Sequence, residues 1–318
     1  MELYLDKEHL YLTMESYIDN TLETLGLCDI KEGSTPIDRP IEDSPPLDTA
    51  MHRMFLTGMG CVGWLVNTGR PDVAYAYSRV AQHCANPNDN AWNALVRIMS
   101  YLKATKHFAI AAPIFGPDAD VQGLRSDPSD GQTQIWKFYC DSDFAGNTEL
   151  QSKSRSQNGY VFILNSAPVL WASKVTSVAF AHPKLGEAHA DMSSAASEIY
   201  CAGNAACDLC HLSYLAEEAG LSFPEPAELQ MDNTSAEAFA KNTAQKTTLK
   251  HIDQRQSWVK TLRDKTIITP VHNIDTKLNI ADIFTKILIK KDFEALRDMM
   301  MIPCVRSLQC NMIYDSFV

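Results

Sequence analysis

The chain has 318 residues, 45% of them hydrophobic and 21% charged, with a formal charge of −11. That composition excludes a disordered or collagen-like protein and leaves room for two ordinary domains with real cores. No run approaches the roughly 18 apolar residues of a membrane span, and Met1-Glu2-Leu3-Tyr4-Leu5-Asp6 lacks the basic and apolar parts of a signal peptide, so neither membrane insertion nor secretion is expected.

Glu2 to Thr13 alternate polar and apolar residues, and Met14 to Leu27 turn helical, which predicts a hairpin and a helix ending at Gly33-Ser34-Thr35-Pro36. This end holds the acidity: residues 1–50 carry 12 Asp/Glu against 3 Lys/Arg, net −9. Pro40, Pro45 and Pro46 with Asp38, Glu42, Asp43 and Asp48 form a linker. Met51 to Leu65 and Pro71 to His83 then predict two apolar helices, and Trp92, Leu95, Met99 and Leu102 a third after the cap Asn90. Residues 51–106 are thus expected to be a small helical unit. Gly58-Met59-Gly60-Cys61-Val62-Gly63 matches G-x-G-x-x-G, but no strand precedes it and no acid waits about 20 residues on to hold a ribose. Its glycines are expected to permit close helix packing instead.

Gly116 to Gln134 is rich in Gly, Asp, Ser and Pro and marks a boundary. Strands are predicted at Lys137 to Cys140, running into Asp141, at Gly159 to Leu164 and at Val169 to Ser173, the last two joined by an Asn165-Ser166 turn. His182, Glu187, His189 and Asp191 crowd the next loop, which either caps the following helix or places His189 and Asp191 as metal ligands. Ser193 to Ala219 reads as one long helix with Ile199, Ala202, Ala206, Leu209, Leu212 and Leu215 on a stripe and Gly220 at its end. Cys207 and Cys210 form a C-x-x-C inside it, without the second pair a zinc site needs. The nine cysteines are odd in number and irregularly spaced, which argues for a reducing compartment rather than a disulfide framework.

Glu228 to Met231 is a fourth strand leading to Asp232. Helical stretches at Thr234 to Lys241 and His251 to Arg263, a strand at Thr266 to Ile274 and a terminal helix from Asn279 complete the pattern. Residues 241–291 carry 11 Lys/Arg against 4 Asp/Glu, net +7, a balance suited either to a phosphate backbone or to an ordinary solvated helix face. Lys250-His251-Ile252-Asp253 opens the second helical stretch, with Asp253 favourable near the positive end of the dipole. The element order predicts an α/β layered domain with a mixed sheet.

Four carboxylates stand at telling places in it: Asp141 ends the first strand, Glu198 lies in the first turns of the long helix, Asp232 ends the fourth strand and Asp282 opens the last helix. Converging acids repel unless cations intervene, and two divalent ions would remove that penalty and supply phosphoryl-transfer chemistry. No G-x-x-x-x-G-K-[ST], H-E-x-x-H or G-x-S-x-G occurs, so P-loop, zincin and α/β-hydrolase chemistries lack support.

More specific still are nine motifs in one order: Thr68-Gly69-Arg70-Pro71-Asp72-Val73-Ala74-Tyr75; Trp92 with Tyr101-Leu102-Lys103-Ala104-Thr105; Asp141-Ser142-Asp143-Phe144-Ala145-Gly146; Ser154-Arg155-Ser156 with Gly159-Tyr160-Val161-Phe162; Trp171-Ala172-Ser173-Lys174; Ser197-Glu198-Ile199-Tyr200; Asp232-Asn233; Lys250-His251-Ile252-Asp253; and Ala281-Asp282-Ile283-Phe284-Thr285-Lys286. Together, from about residue 1 to 300, they resemble the C-terminal part of the Pol polyprotein of copia-type LTR retrotransposons.

The resemblance implies that residues 1–115 are the end of a reverse transcriptase, a small mostly helical thumb- or connection-like unit past the catalytic palm. Residues 116–135 are then a linker, 136–301 an RNase H-like domain with a mixed five-stranded sheet and flanking helices, and 302–318 an unassigned tail. The Y-x-D-D polymerase motif is expected upstream of Met1, and the chain has no Asp-Asp dipeptide, so no polymerase activity is expected of it alone. The RNase H quartet falls on Asp141, Glu198, Asp232 and Asp282, implying two Mg²⁺ ions, or Mn²⁺. Asp141 would bridge them, Glu198 and Asp232 would complete one shell, and Asp282 would support the other.

The implied substrate is the RNA strand of an RNA–DNA hybrid, and the remainder of a reverse transcriptase polyprotein is an implied partner. Lys246, Lys250, Arg255, Lys260 and Arg263 are the candidate backbone-binding residues, and Ser142 and Asn233 would contact substrate or orient a ligand. Such a protein would work inside the cell, in a cytoplasmic particle or the nucleus. The chain departs from the family in a longer stretch between Lys174 and Ser193, in Ala195 and Ala196, and in Ile287 after Thr-Lys. A decayed or host-adopted hybrid-binding module without catalysis, or a structural subunit of a complete reverse transcriptase, are the other classes the residues allow.

Overall fold

The computed structural model describes residues 1–6, 9–113, 135–147, 155–176, 180–181, 188–189, 194–231, 253–272, 274, 276–304 and 311–315. The helix expected at Thr234 to Lys241, the acids Glu187, Asp191 and Asp232, and His182, Asn233, Lys246 and Lys250 lie outside the described residues. In chain order the elements are β1 (Glu2–Leu5), β2 (His9–Thr13), α1 (Glu15–Thr24), α2 (Thr49–Thr68), α3 (Ala74–Ala81), α4 (Asp89–Ala104), β3 (Phe108–Pro113), β4 (Trp136–Asn147), β5 (Arg155–Leu164) and β6 (Ala167–Val175). The two-residue strands β7 (Phe180–Ala181) and β8 (Ala188–His189) follow, then α5 (Ser194–Glu218), β9 (Ala227–Met231), α6 (Asp253–Asp264), β10 (Ile268–His272), a 3-10 segment (Ile280–Phe284), α7 (Lys290–Asp298), β11 (Ile302–Pro303) and β12 (Asn311–Asp315).

They form two compact units, Met1–Leu124 with Ile287–Val318, and Arg125–Lys286. The expected division at residue 301 is therefore displaced: residues 287–301 belong with the N-terminal unit, and part of the expected tail adds strands to it. The physical reason is a set of contacts made by α7 and its flanks. The Phe293 ring meets Tyr101 edge-on at 5.4 Å, Arg297 lies 4.2 Å over the Phe108 ring, β11 pairs with β3, and β12 pairs with β1.

Helix outweighs strand in the first unit, as expected, but the unit also carries a sheet. Its antiparallel sheet runs β11-β3-β2-β1-β12, and the strand at Phe108–Pro113, just past the predicted helical unit, lies between β11 and β2. Asp48 caps α2 by accepting from the Met51 amide, and Asn88, not Asn90, caps α4 by accepting from Ala91, each at 2.8 Å. Two of the three expected packing glycines act as such: a Cβ at Gly58 would lie 2.7 Å from Leu95 Cδ2 and one at Gly63 2.8 Å from the Tyr77 hydroxyl, whereas Gly60 faces open space. Arg70 and Asp72 form a fully enclosed pair. Arg70 Nη2 donates to Asp72 Oδ2 at 2.7 Å and to Thr105 Oγ1 at 2.7 Å, and the Tyr101 hydroxyl donates to Asp72 Oδ2 at 2.6 Å. Burial alone would raise the Asp72 carboxyl, but the Arg70 guanidinium holds it below the ordinary aspartate range.

The second unit has the mixed five-stranded sheet with flanking helices, in the order β10-β9-β4-β5-β6. β4, β5 and β6 are antiparallel neighbours, while β9 runs parallel to β4 and β10 parallel to β9. The Asn165-Ser166 turn has φ of 47° and 76°, the left-handed pair a tight hairpin requires. Helix α5 packs on β4 and β5 through Cys201, Ala202, Ala205, Ala206 and Leu209, small residues that admit the helix close to the sheet. Leu215, expected on the buried stripe, is 47% exposed, because the stripe shifts to Ala216 in the last turn. Gly220, at φ 70°, closes α5: its amide donates to Glu217 O and that of Leu221 to Ala216 O, a Schellman ending.

Candidate active site

Strand β4 does not stop at Asp141. It continues to Asn147, with Asp141 opposite Gly159 and Ser142 opposite Asn158, so the carboxylate projects from a strand interior. Across β5, Gly159 has no room for a side chain, since a Cβ there would lie 2.6 Å from Phe284 Cβ and 2.7 Å from Thr285 Cγ2. That gap lets the 3-10 segment at Ile280–Phe284 lie against the sheet. Asn279 caps it by accepting from the Ala281 amide at 3.2 Å, and Ser173 on β6 donates to Phe284 O at 2.6 Å. The terminal helix expected from Asn279 is thus two elements, this short segment and α7, which belongs to the other unit.

The docked segment brings Asp282 to Asp141. Lys286 joins them, its Nζ 3.3 Å from Asp141 Oδ2 and 3.1 Å from Asp282 Oδ1. The Thr285 hydroxyl donates to the same Asp141 Oδ2. Glu198 is placed by α5. Beside it the Ser197 hydroxyl meets that of Ser142, and one turn later the Cys201 thiol donates to the Asp141 carbonyl at 3.0 Å and the Gly159 carbonyl at 3.3 Å. Asp141 is 2%, Glu198 3% and Asp282 6% exposed, an enclosure rare for carboxylates without cations nearby. Among the described residues, no three His, Cys, Asp or Glu side chains converge as a set able to hold a metal.

The candidate nucleic-acid residues divide. Ser142 is buried and its hydroxyl is engaged with Asn158 Oδ1 at 2.9 Å and with Ser197, so it ties β4 to β5 and α5. Arg255, Lys260 and Arg263 lie on α6, which packs against α5 and β10. The Arg263 guanidinium pairs with Asp264 through Nε at 3.0 Å. Cys207 and Cys210 are free thiols on α5, Cys207 exposed and Cys210 half-buried. Cys140, behind Asp141, is fully buried, and the adjacent Cys201 thiol and then burial push its pKa well up, which makes it inert.

Gly159, Ser173, Thr285 and Lys286 all fell within the quoted motifs without a role. The available signal was the Thr-Lys directly after Asp282 and a glycine opposite Asp141 in a strand, where glycine is disfavoured.

No family model matches the chain. It is 26% identical over 298 residues to a retrovirus-related Pol polyprotein from transposon TNT 1-94 of Nicotiana tabacum, covering 91% of this chain and 20% of that protein. With the corresponding polyprotein from transposon RE2 of Arabidopsis thaliana it shares 26% over 268 residues, 81% of this chain and 16% of that one. The chain is thus similar to retrovirus-related Pol polyproteins of plant transposons. The chain spans about a fifth or less of the length of those relatives. Among solved structures it is similar to LC11-RNase H1 in complex with RNA/DNA hybrid, at 15% identity and a TM-score of 0.32, covering 48% of this chain and 94% of that one.

Proposed function

We propose that the second unit is the RNase H domain of a copia-type Pol polyprotein, hydrolysing the RNA strand of RNA–DNA hybrids with Mg²⁺. The observation that carries this proposal is the pair of buried carboxylates, Asp141 and Asp282, facing one cation at 3.3 and 3.1 Å. The donors are all hard carboxylate oxygens, the set that suits Mg²⁺ or Mn²⁺. Two buried carboxylates sharing one cation, with Glu198 enclosed on α5, are residues of a chemistry that fits a divalent ion. Asp141, Glu198, Asp282 and, past the end of β9, Asp232 would hold two such ions, whose charge supports in-line attack of water on the phosphodiester.

The chain's own residues set the frame. Gly159 and Ser173 seat the segment that carries Asp282, Thr285 orients the Asp141 carboxylate, and the Ser142–Ser197 contact fixes the helix turn that carries Glu198. Substrate recognition would rest on phosphates and 2′-hydroxyls and be largely independent of sequence, with Lys260 and its neighbours on α6 supplying positive charge. The first unit would be a reverse transcriptase remainder without polymerase activity.

The test is cleavage of a labelled hybrid by the whole chain with Mg²⁺, with a DNA duplex as control. Hybrid-only cleavage that disappears in Asp141→Asn is expected, and equal activity in both proteins would sink the assignment. A hybrid-binding module without catalysis is the alternative, favoured by the occupation of the Asp141–Asp282 pair by Lys286. Binding without cleavage at saturating Mg²⁺ would support it.

A further inference from the structure

We infer that Lys286 is a built-in competitor of the divalent ion, its ammonium taking the place between Asp141 and Asp282 in the metal-free protein. The inference rests on the proposed metal site and adds a regulation to it. Its geometry has three parts. Asp282 and Lys286 are four residues apart, and the Lys286 amide donates to the Asp282 carbonyl at 3.1 Å, which fixes the turn between them. The ammonium then reaches Asp141 Oδ2 and Asp282 Oδ1 at 3.3 and 3.1 Å, the same oxygens an ion shared by these acids would need. Finally, the two carboxylates are 2% and 9% exposed while the lysine side chain is 33% exposed.

The acids are therefore fixed and enclosed, whereas the lysine arm lies along an open path to water. Enclosed carboxylates without a counter-charge repel one another and are costly to keep ionised. One ammonium offsets part of that cost, and its four-carbon stem lets it leave without disturbing the sheet. A divalent ion offsets more of it but demands the same oxygens. The two occupants exclude one another, so the apparent metal affinity is the intrinsic affinity scaled by the fraction of molecules with the arm out.

Mn²⁺ binding to the whole chain, measured by titration calorimetry, tests this with no activity readout. Lys286→Met keeps the stem and removes the charge. It is expected to bind Mn²⁺ about tenfold more tightly if the arm is in for about nine-tenths of the wild-type population. Lys286→Arg, which keeps the charge, should stay near wild type. In EDTA the Met variant should melt below wild type, and saturating Mn²⁺ should close that gap. Equal or weaker Mn²⁺ binding by Lys286→Met, with wild type and not Asp282→Asn binding, overturns the competition and leaves the metal site standing. Absence of Mn²⁺ binding in every protein overturns both. If Lys286→Met folds only with Mn²⁺ present, the competition is supported. If it fails to fold even then, Lys286 is a structural residue and the inference fails.

Discussion

The Asp141 neighbourhood depends at the residue scale on an atom that is absent. Gly159 leaves the space into which Phe284 and Thr285 settle, so Gly159→Ala should push the 280–286 segment off the sheet. The expected cost is about 1–3 kcal/mol of stability, the range for overpacking a tight site. Hybrid cleavage should fall further than stability, because Asp282, Thr285 and Lys286 all travel with that segment. Melting and cleavage measured on the same preparation check this, and an alanine variant with wild-type cleavage would remove Gly159 from the site. In the other unit, Asp72 gives a pH prediction. Its folded pKa is lowered, so its contribution is full above the unfolded aspartate value of about 3.9 and is lost as pH falls below that toward the lowered folded value. Asp72→Asn should abolish that acid-side loss and cost about 3–5 kcal/mol near neutrality, since it strands the enclosed Arg70 charge. Denaturant unfolding at pH 7 and pH 3, followed by hydrogen exchange of the α4 amides, reads both effects.

Within elements, glycines of one motif separate by what they face. Gly58→Ala on α2 should destabilise by about 1–3 kcal/mol, because its Cβ would meet Leu95 Cδ2 at 2.7 Å. Gly60→Ala, which meets nothing within 4 Å, should stabilise by about 0.4–1 kcal/mol through helix preference. Opposite shifts in melting temperature are expected, and shifts of the same sign would contradict the packing account. Local chemistry made several elements legible in sequence: the α5 stripe and its Gly220 ending, the Asn165-Ser166 turn, and the strand leading to Asp141. Other limits needed neighbours. Nothing local extends β4 past Asp141, where pairing of Ser142 and Asp143 with β5 continues it. The Leu215 side chain follows the stripe period yet is exposed, because Ala216 takes the buried position in the last turn of α5.

At the scale of the molecule, the C-terminal elements belong to the N-terminal unit. A chain ending at Lys286 loses β11, α7 and β12 and with them Phe293, Leu296 and the Arg297–Phe108 contact. Hydrogen exchange should then show lost protection in β1, β3 and α4 and unchanged protection in β4 and β5. Equal loss in both sets would contradict the two-unit division. This arrangement was hidden in sequence because the strand pairings that close the first sheet join residues some 200 to 300 positions apart, and a two-residue strand such as β11 carries no periodic signal.

By itself the sequence determined the α/β class of the second unit, the placing of Asp141 on a strand and of Glu198 in the first turns of the long helix, and the likeness to Pol polyproteins, because periodicity, turn chemistry and ordered motifs are properties of neighbouring residues. Only the tertiary structure decided that Gly159 admits the Asp282 segment, that the Ser142 hydroxyl ties β4 to β5 and α5, and that Lys286 stands between two carboxylates. Each of these depends on distances between residues remote in the chain, and such distances are set by how the elements pack.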